Sequence, residues 1–131
     1  MERYQLILAY DGTEFEGFQR QGRGRTVQAE VETALRRLNW QGRAVLSAGR
    51  TDTGVHASGQ VVVFDLDWKH TPEALARALN ANLPGDVAVC SIQIAAENFH
   101  PRFDATARRY RYRLYCRPNR HPLLDRLRWR V

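Results

Sequence analysis

Lysine is almost absent from this chain: Lys69 is the single one, and the other nineteen of its twenty basic residues are arginine. Cysteine is equally sparse. Cys90 and Cys116 form no CxxC pair and no ligand cluster, which argues against a disulfide framework or a zinc ribbon and makes a reduced, cytoplasmic setting the expectation. No apolar run approaches the roughly 20 residues that a membrane-spanning helix needs, so no membrane partner is expected. Met1-Glu2-Arg3-Tyr4 leads straight into a strand-like segment without a signal-peptide core. His56, His70, His100 and His121 lack metal-ligand spacing, and no metal site is expected from them. Internal repeats and low-complexity tracts are also missing.

What is present suits one globular domain spanning residues 1–131, with 44% hydrophobic and 26% charged residues. The formal net charge is +6, and it is unevenly spread. Residues 102–131 hold ten arginines against Asp104 and Asp125, a local +8, so the first 101 residues carry the difference, −2. The planar arginine fork suits phosphate better than the point charge of lysine, which makes a polyanion partner plausible. An arginine-rich genome that places arginine wherever a surface cation will do explains the same bias.

Apolar periodicity sets out the elements. Tyr4 to Tyr10 reads as a buried strand running into the turn Asp11-Gly12, and residues 11–26 as a loop. Val27, Val31, Ala34, Leu35 and Leu38 fall on one face of a helix that Thr26 could cap. Strands are expected at Ala44–Leu46 and Val61–Phe64, the latter ending at Asp65 and Asp67. Thr71-Pro72-Glu73 opens a second helix that Pro84-Gly85 stops, and Val87 to Ile94 is a fourth strand. The order predicts an α+β, ferredoxin-like βαββαβ fold with helices on one face of a mainly antiparallel sheet. An additional strand is expected over residues 108–116, with Tyr110, Tyr112, Leu114 and Cys116 on one side and Arg109, Arg111, Arg113 and Tyr115 on the other. Leu127, Trp129 and Val131 alternate with arginines up to the last residue, and the chain is expected to be cut within a longer pattern.

Chemistry concentrates between Ser47 and Gln60, where three glycines surround Asp52, Arg50, two threonines and His56. An opposite charge within about 4–6 Å keeps a carboxylate ionised, and an ionised aspartate can serve as nucleophile or base. The same residues also make an ordinary turn, with Asp52 capping a neighbouring N–H and Arg50 pairing at the surface. Gly22-Arg23-Gly24-Arg25 misses the GxGxxG pattern, since Val27 stands where the third glycine belongs, and reads better as a basic loop touching phosphate. Phe15 and Phe18 read as core rather than base-stacking groups.

The segment GRTDTGVHA (49–57), followed by GQVVVF (59–64), resembles the catalytic loop of the TruA family of tRNA pseudouridine synthases. YDGTEFEGFQRQ (10–21), TVQAEVETAL (26–35) and NFHPRFDATARRYRYRLY (98–115) match the same family in the same order. The resemblance implies an enzyme that isomerises uridine to pseudouridine in the anticodon stem and loop of tRNA, at positions 38, 39 and 40. It implies a cofactor-free homodimer whose N-terminal half has the ferredoxin-like fold. Carried over by motif, Asp52 is the catalytic carboxylate, Arg50 helps to hold the flipped-out nucleotide, and Tyr110 stacks on the target base. Without the resemblance, Tyr110 is as readily a core tyrosine.

These residue types fit the reaction. Taking a base out of its stack costs a few kcal/mol, which aromatic stacking and phosphate contacts can offset. Asp52 would start breakage of the N1–C1′ bond; the base turns, C5 bonds to C1′, and the C5 proton leaves. Whether the carboxylate adds to base or ribose, or abstracts a ribose proton, stays open. The resemblance further implies a second half of comparable size that completes the cleft and pairs a basic residue with Asp52. Residues 1–131 alone are therefore expected to bind tRNA without turnover, since a positioning error of about 1 Å costs about 10²-fold in rate. The competing classes are a non-catalytic RNA-binding module on the same topology and a degenerate relative serving as scaffold. The module reading lacks its aromatic signature, because Arg109-Tyr110-Arg111-Tyr112 has no glycine, and it leaves the GRTDTGVHA loop unexplained.

Overall fold

The computed structural model describes residues 1–104 and, beyond them, two short strands at Leu114–Tyr115 and Trp129–Arg130. The first strand, β1 (Glu2–Tyr10), buries Tyr4, Leu6, Leu8 and Tyr10 at alternate positions, as the two-residue period of a pleated strand requires. Helix α1 (Val27–Arg36) starts at Thr26, whose hydroxyl accepts the N–H of Ala29 at 3.3 Å. Strands β2 (Leu46–Ser47) and β3 (Ala57–Leu66) follow, then α2 (Pro72–Asn82), capped by Thr71 on Ala74 N–H at 3.1 Å with proline in its first turn, and β4 (Val87–Ile94).

The sheet order is β2-β3-β1-β4 and every pairing is antiparallel. Leu6, Leu8, Phe64 and Leu66 from the central strands form one buried cluster with Val31 and Leu35 of α1 and Leu75 and Leu79 of α2. Both helices therefore lie on the same sheet face, and the ferredoxin-like arrangement holds. Each such fully buried leucine contributes about 1.5–3 kcal/mol relative to exposure.

Three boundaries differ from the sequence reading. Strand β3 is longer than Val61–Phe64, and Asp65 lies inside it rather than marking its end. The reason is Arg3, its cross-strand partner on β1, whose guanidinium donates to both Asp65 oxygens at 2.8 and 3.0 Å. Strand β2 is confined to Leu46–Ser47. The additional strand expected over 108–116 is described only at Leu114–Tyr115 (β5), which pairs in parallel with Trp129–Arg130 (β6) in a separate ladder. Tyr110 and the rest of that stretch lie outside the described residues. Among the described residues no helix is long and apolar enough to cross a membrane.

Candidate active site

Strand β1 ends in register irregularities against both neighbours, and the chain then turns at Asp11-Gly12. Gly12 is buried under the loop that carries Asp52: a Cβ on it would stand 2.0 Å from the Val55 carbonyl oxygen. Gly17, at φ +84°, also lies against the loop, with a Cβ position 2.9 Å from the Thr51 oxygen. The glycines of YDGTEFEGF are thus the floor on which residues 51–55 rest.

Hydrogen bonds fasten that loop at successive points. Phe18 N–H donates to the Thr51 carbonyl at 3.0 Å and Gly54 N–H to the Phe15 carbonyl at 3.2 Å, while Val55 N–H closes a turn on the Asp52 carbonyl at 3.1 Å. The Tyr10 hydroxyl meets Thr51 Oγ1 at 2.8 Å from the end of β1. Burial pushes the Tyr10 phenol up from its ordinary range, and its bonds to Thr51 and Gln60 pull the other way, so it serves the loop as a neutral hydroxyl. Phe15 and Phe18 are buried core residues, as their positions suggested. His56 accepts the Gly12 N–H at Nδ1, 2.9 Å away, which makes the imidazole a brace of the loop. Asp11 Oδ1 stands 3.3 Å from the same nitrogen, so the imidazole joins both residues of the Asp11-Gly12 turn.

The loop forms one wall of a cleft of about 280 Å³, lined by Arg50, Thr51, Asp52 and Thr53 and, opposite, by Glu16, Gly17, Gln19 and Gln21. Arg50 and Asp52, two positions apart in the sequence motif, come together on this cleft and both are exposed. They do not pair with each other. Among the described residues neither side chain makes a hydrogen bond or ion pair, so Asp52 does not cap a neighbouring N–H as the turn reading had it. An exposed carboxylate beside an uncommitted guanidinium can receive a polar substrate and act on it as base or nucleophile.

Sequence reasoning missed the residues that hold this arrangement. Gln60, buried on β3, grips Gly49 from both sides, accepting its N–H at 3.3 Å and donating to its carbonyl at 2.9 Å. Its signal was a lone amide at the inward position of the apolar run GQVVVF. Glu32 is fully buried on α1 and accepts from Arg20 at 2.6 Å, from the Gln28 amide at 3.0 Å and from Val45 N–H at 3.0 Å. The spacing of Gln28 and Glu32, four residues apart beside the apolar stripe, was the available hint. The basic loop is also reassigned. Arg25 holds Asp86 with both terminal nitrogens, at 2.7 and 3.0 Å, and lies over the Phe15 ring, while Arg20 is tied to Glu32. Of the three arginines in residues 20–25, only Arg23 has no partner among the described residues.

Comparison with known proteins points to one family. The family model described as tRNA pseudouridine synthase matches residues 6–104. The chain is 46% identical over 125 residues to the tRNA pseudouridine synthase A of Streptococcus equi subsp. equi, covering 95% of this chain and 50% of that protein. It is 50% identical over 115 residues to the Pseudothermotoga lettingae protein of the same name, covering 88% and 47%. With the Neisseria gonorrhoeae protein the identity is 48% over 124 residues, covering 94% and 47%. The chain spans about half the length of the curated relatives it matches. With the matched region containing both the glycine floor and the Asp52 loop, this chain belongs to the tRNA pseudouridine synthase family.

Proposed function

We propose that this chain supplies the catalytic aspartate of a tRNA pseudouridine synthase, an isomerase that acts on uridine in the anticodon stem-loop without a cofactor. The observation that carries the reading is the exposed Asp52 carboxylate, without a partner among the described residues, on a backbone braced from β1, β3 and the 12–18 segment. A group meant only to cap a turn would be satisfied by its own loop; this one is held out towards a cleft. Arg50 on the same cleft helps to hold the flipped-out nucleotide, and Tyr110 stacks on the target base. The protein acts as a homodimer.

In this mechanism Asp52 reacts as the carboxylate, its charge complemented by Arg50 when substrate excludes water. The rigid loop holds the reacting oxygen in place, which is where positional catalysis arises. The test is Asp52→Asn in the complete protein, with release of tritium from C5-labelled uridine in tRNA as the readout. Tritium release is expected to vanish while tRNA binding is retained. Unchanged release would remove Asp52 from the chemistry.

A further inference from the structure

Gly49 and Thr51, the two chain neighbours of Arg50, are held by one connected series of hydrogen bonds. Gln60 takes both backbone groups of Gly49, accepting the N–H at 3.3 Å and donating to the carbonyl at 2.9 Å. The same amide bonds the Tyr10 hydroxyl, and that hydroxyl meets Thr51 Oγ1 at 2.8 Å. The two middle members are buried, with Gln60 8% and Tyr10 5% exposed. Sheet register makes the link. Gln60 stands opposite Leu8, and Tyr10, two residues further along β1 and past its irregularity, falls diagonally beside it within reach of a long side chain.

We infer that Tyr10 and Gln60 are positioning residues for the reaction: through Thr51 and Gly49 they fix the backbone on either side of Arg50 and so hold its guanidinium apart from Asp52; the inference rests on the function proposed above. Opposite charges exposed on one cleft, two positions apart, attract each other, yet no ion pair joins these two. Neither side chain is tied elsewhere among the described residues, so the restraint lies in the backbone that carries them. Part of it is main chain alone: the Thr51 carbonyl accepts Phe18 N–H at 3.0 Å and the Asp52 carbonyl accepts Val55 N–H at 3.1 Å. The side-chain part is the Gln60–Tyr10 link, and there the residue types encode the separation. Removing the Tyr10 hydroxyl takes a bond from Thr51 and from the Gln60 amide together, and Arg50 gains room to turn on to Asp52. A carboxylate engaged by a guanidinium is a weaker base and nucleophile, so the chemical step slows while tRNA still binds.

The test uses the complete protein, with tritium release from C5-labelled uridine in tRNA followed in single turnover at saturating enzyme, and tRNA affinity and thermal melts measured beside it. Tyr10→Phe and Gln60→Leu are each expected to slow release about 10- to 100-fold, the order that about 1 Å of misplacement costs, with tRNA affinity unchanged. The double variant should be no slower than the slower single variant, because groups that act as a unit are not additive. Tyr4→Phe removes a buried hydroxyl from the far end of the same strand, where the ring stacks on Phe64, and should react at the parental rate. A melting temperature above that of the assay establishes that the molecules measured are folded. If Gln60→Leu does not fold, Tyr10→Phe, which lacks a single oxygen, decides alone. Parental single-turnover rates would overturn the inference whatever the melting temperatures, since a purely structural role lowers stability without slowing the folded molecules. So would a loss confined to tRNA affinity, or a double variant slowed by the product of the two single effects. Undiminished release by Asp52→Asn defeats the proposed function, whereas parental rates in Tyr10→Phe and Gln60→Leu beside an inactive Asp52→Asn defeat only the positioning role.

Discussion

At Gly12 a single methyl group would collide with the Val55 carbonyl oxygen, and the obstacle is backbone, which cannot swing aside. Gly12→Ala should therefore displace the Asp52 loop and destabilise the chain by about 1–3 kcal/mol, read from urea unfolding. Gly22→Ala is the matched control, because nothing lies within 4 Å of its Cβ position, and it should be close to neutral. Tyr10→Phe removes the bond to Thr51 but keeps the buried ring, and should lower stability by about 1 kcal/mol. The glycines were readable as places of close approach or tight turning. What approaches them was not, since Val55 lies more than forty positions away and only the β1–β3 register brings it there.

The elements are joined by polar ties as well as by the core. Glu32 connects α1 to the loop at Arg20 and to the chain entering β2 at Val45, the two sides that flank Arg50. Glu32→Ala leaves the Val45 N–H and the Gln28 amide without their acceptor, and a loss of about 1–3 kcal/mol is expected in chemical denaturation. Arg20 can turn its charge to solvent, so the full penalty of a stranded buried ion does not apply to it. Helix starts were legible, because a cap such as Thr26 or Thr71 acts on a residue three positions away. The use of Arg20 and Arg25 as internal ties was not. Their partners, Glu32 and Asp86, are chosen by packing, and composition shows only that arginines are present.

For the whole molecule, the ties Arg25–Asp86 and Arg3–Asp65 set the acid limb of stability. Arginine hydrogen bonds hold both carboxyls below the usual carboxylate range. Their stabilisation is present above the unfolded carboxylate pKa, about 3.9, and is lost as pH falls through the lower folded values, because the unfolded chain then binds more protons. Thermal melts should show a plateau above about pH 5 and a falling melting temperature below about pH 4, with a shallower fall in Asp86→Asn. Residues 1–131 by themselves are expected to bind tRNA in a salt-sensitive manner, as a net charge of +6 and a pI near 10.0 favour, and to release no tritium at an enzymatic rate. The amino-acid sequence by itself determined the element types, the caps and the family, because alternation, capping and motif spacing depend on near neighbours. The tertiary structure alone decided which arginines are ties and which face a cleft, why Gln60 and Glu32 matter, and how residues 16–21 come to oppose 50–53. Those relations join positions far apart in the chain, and their distances are set by sheet register and core packing, which no local pattern encodes.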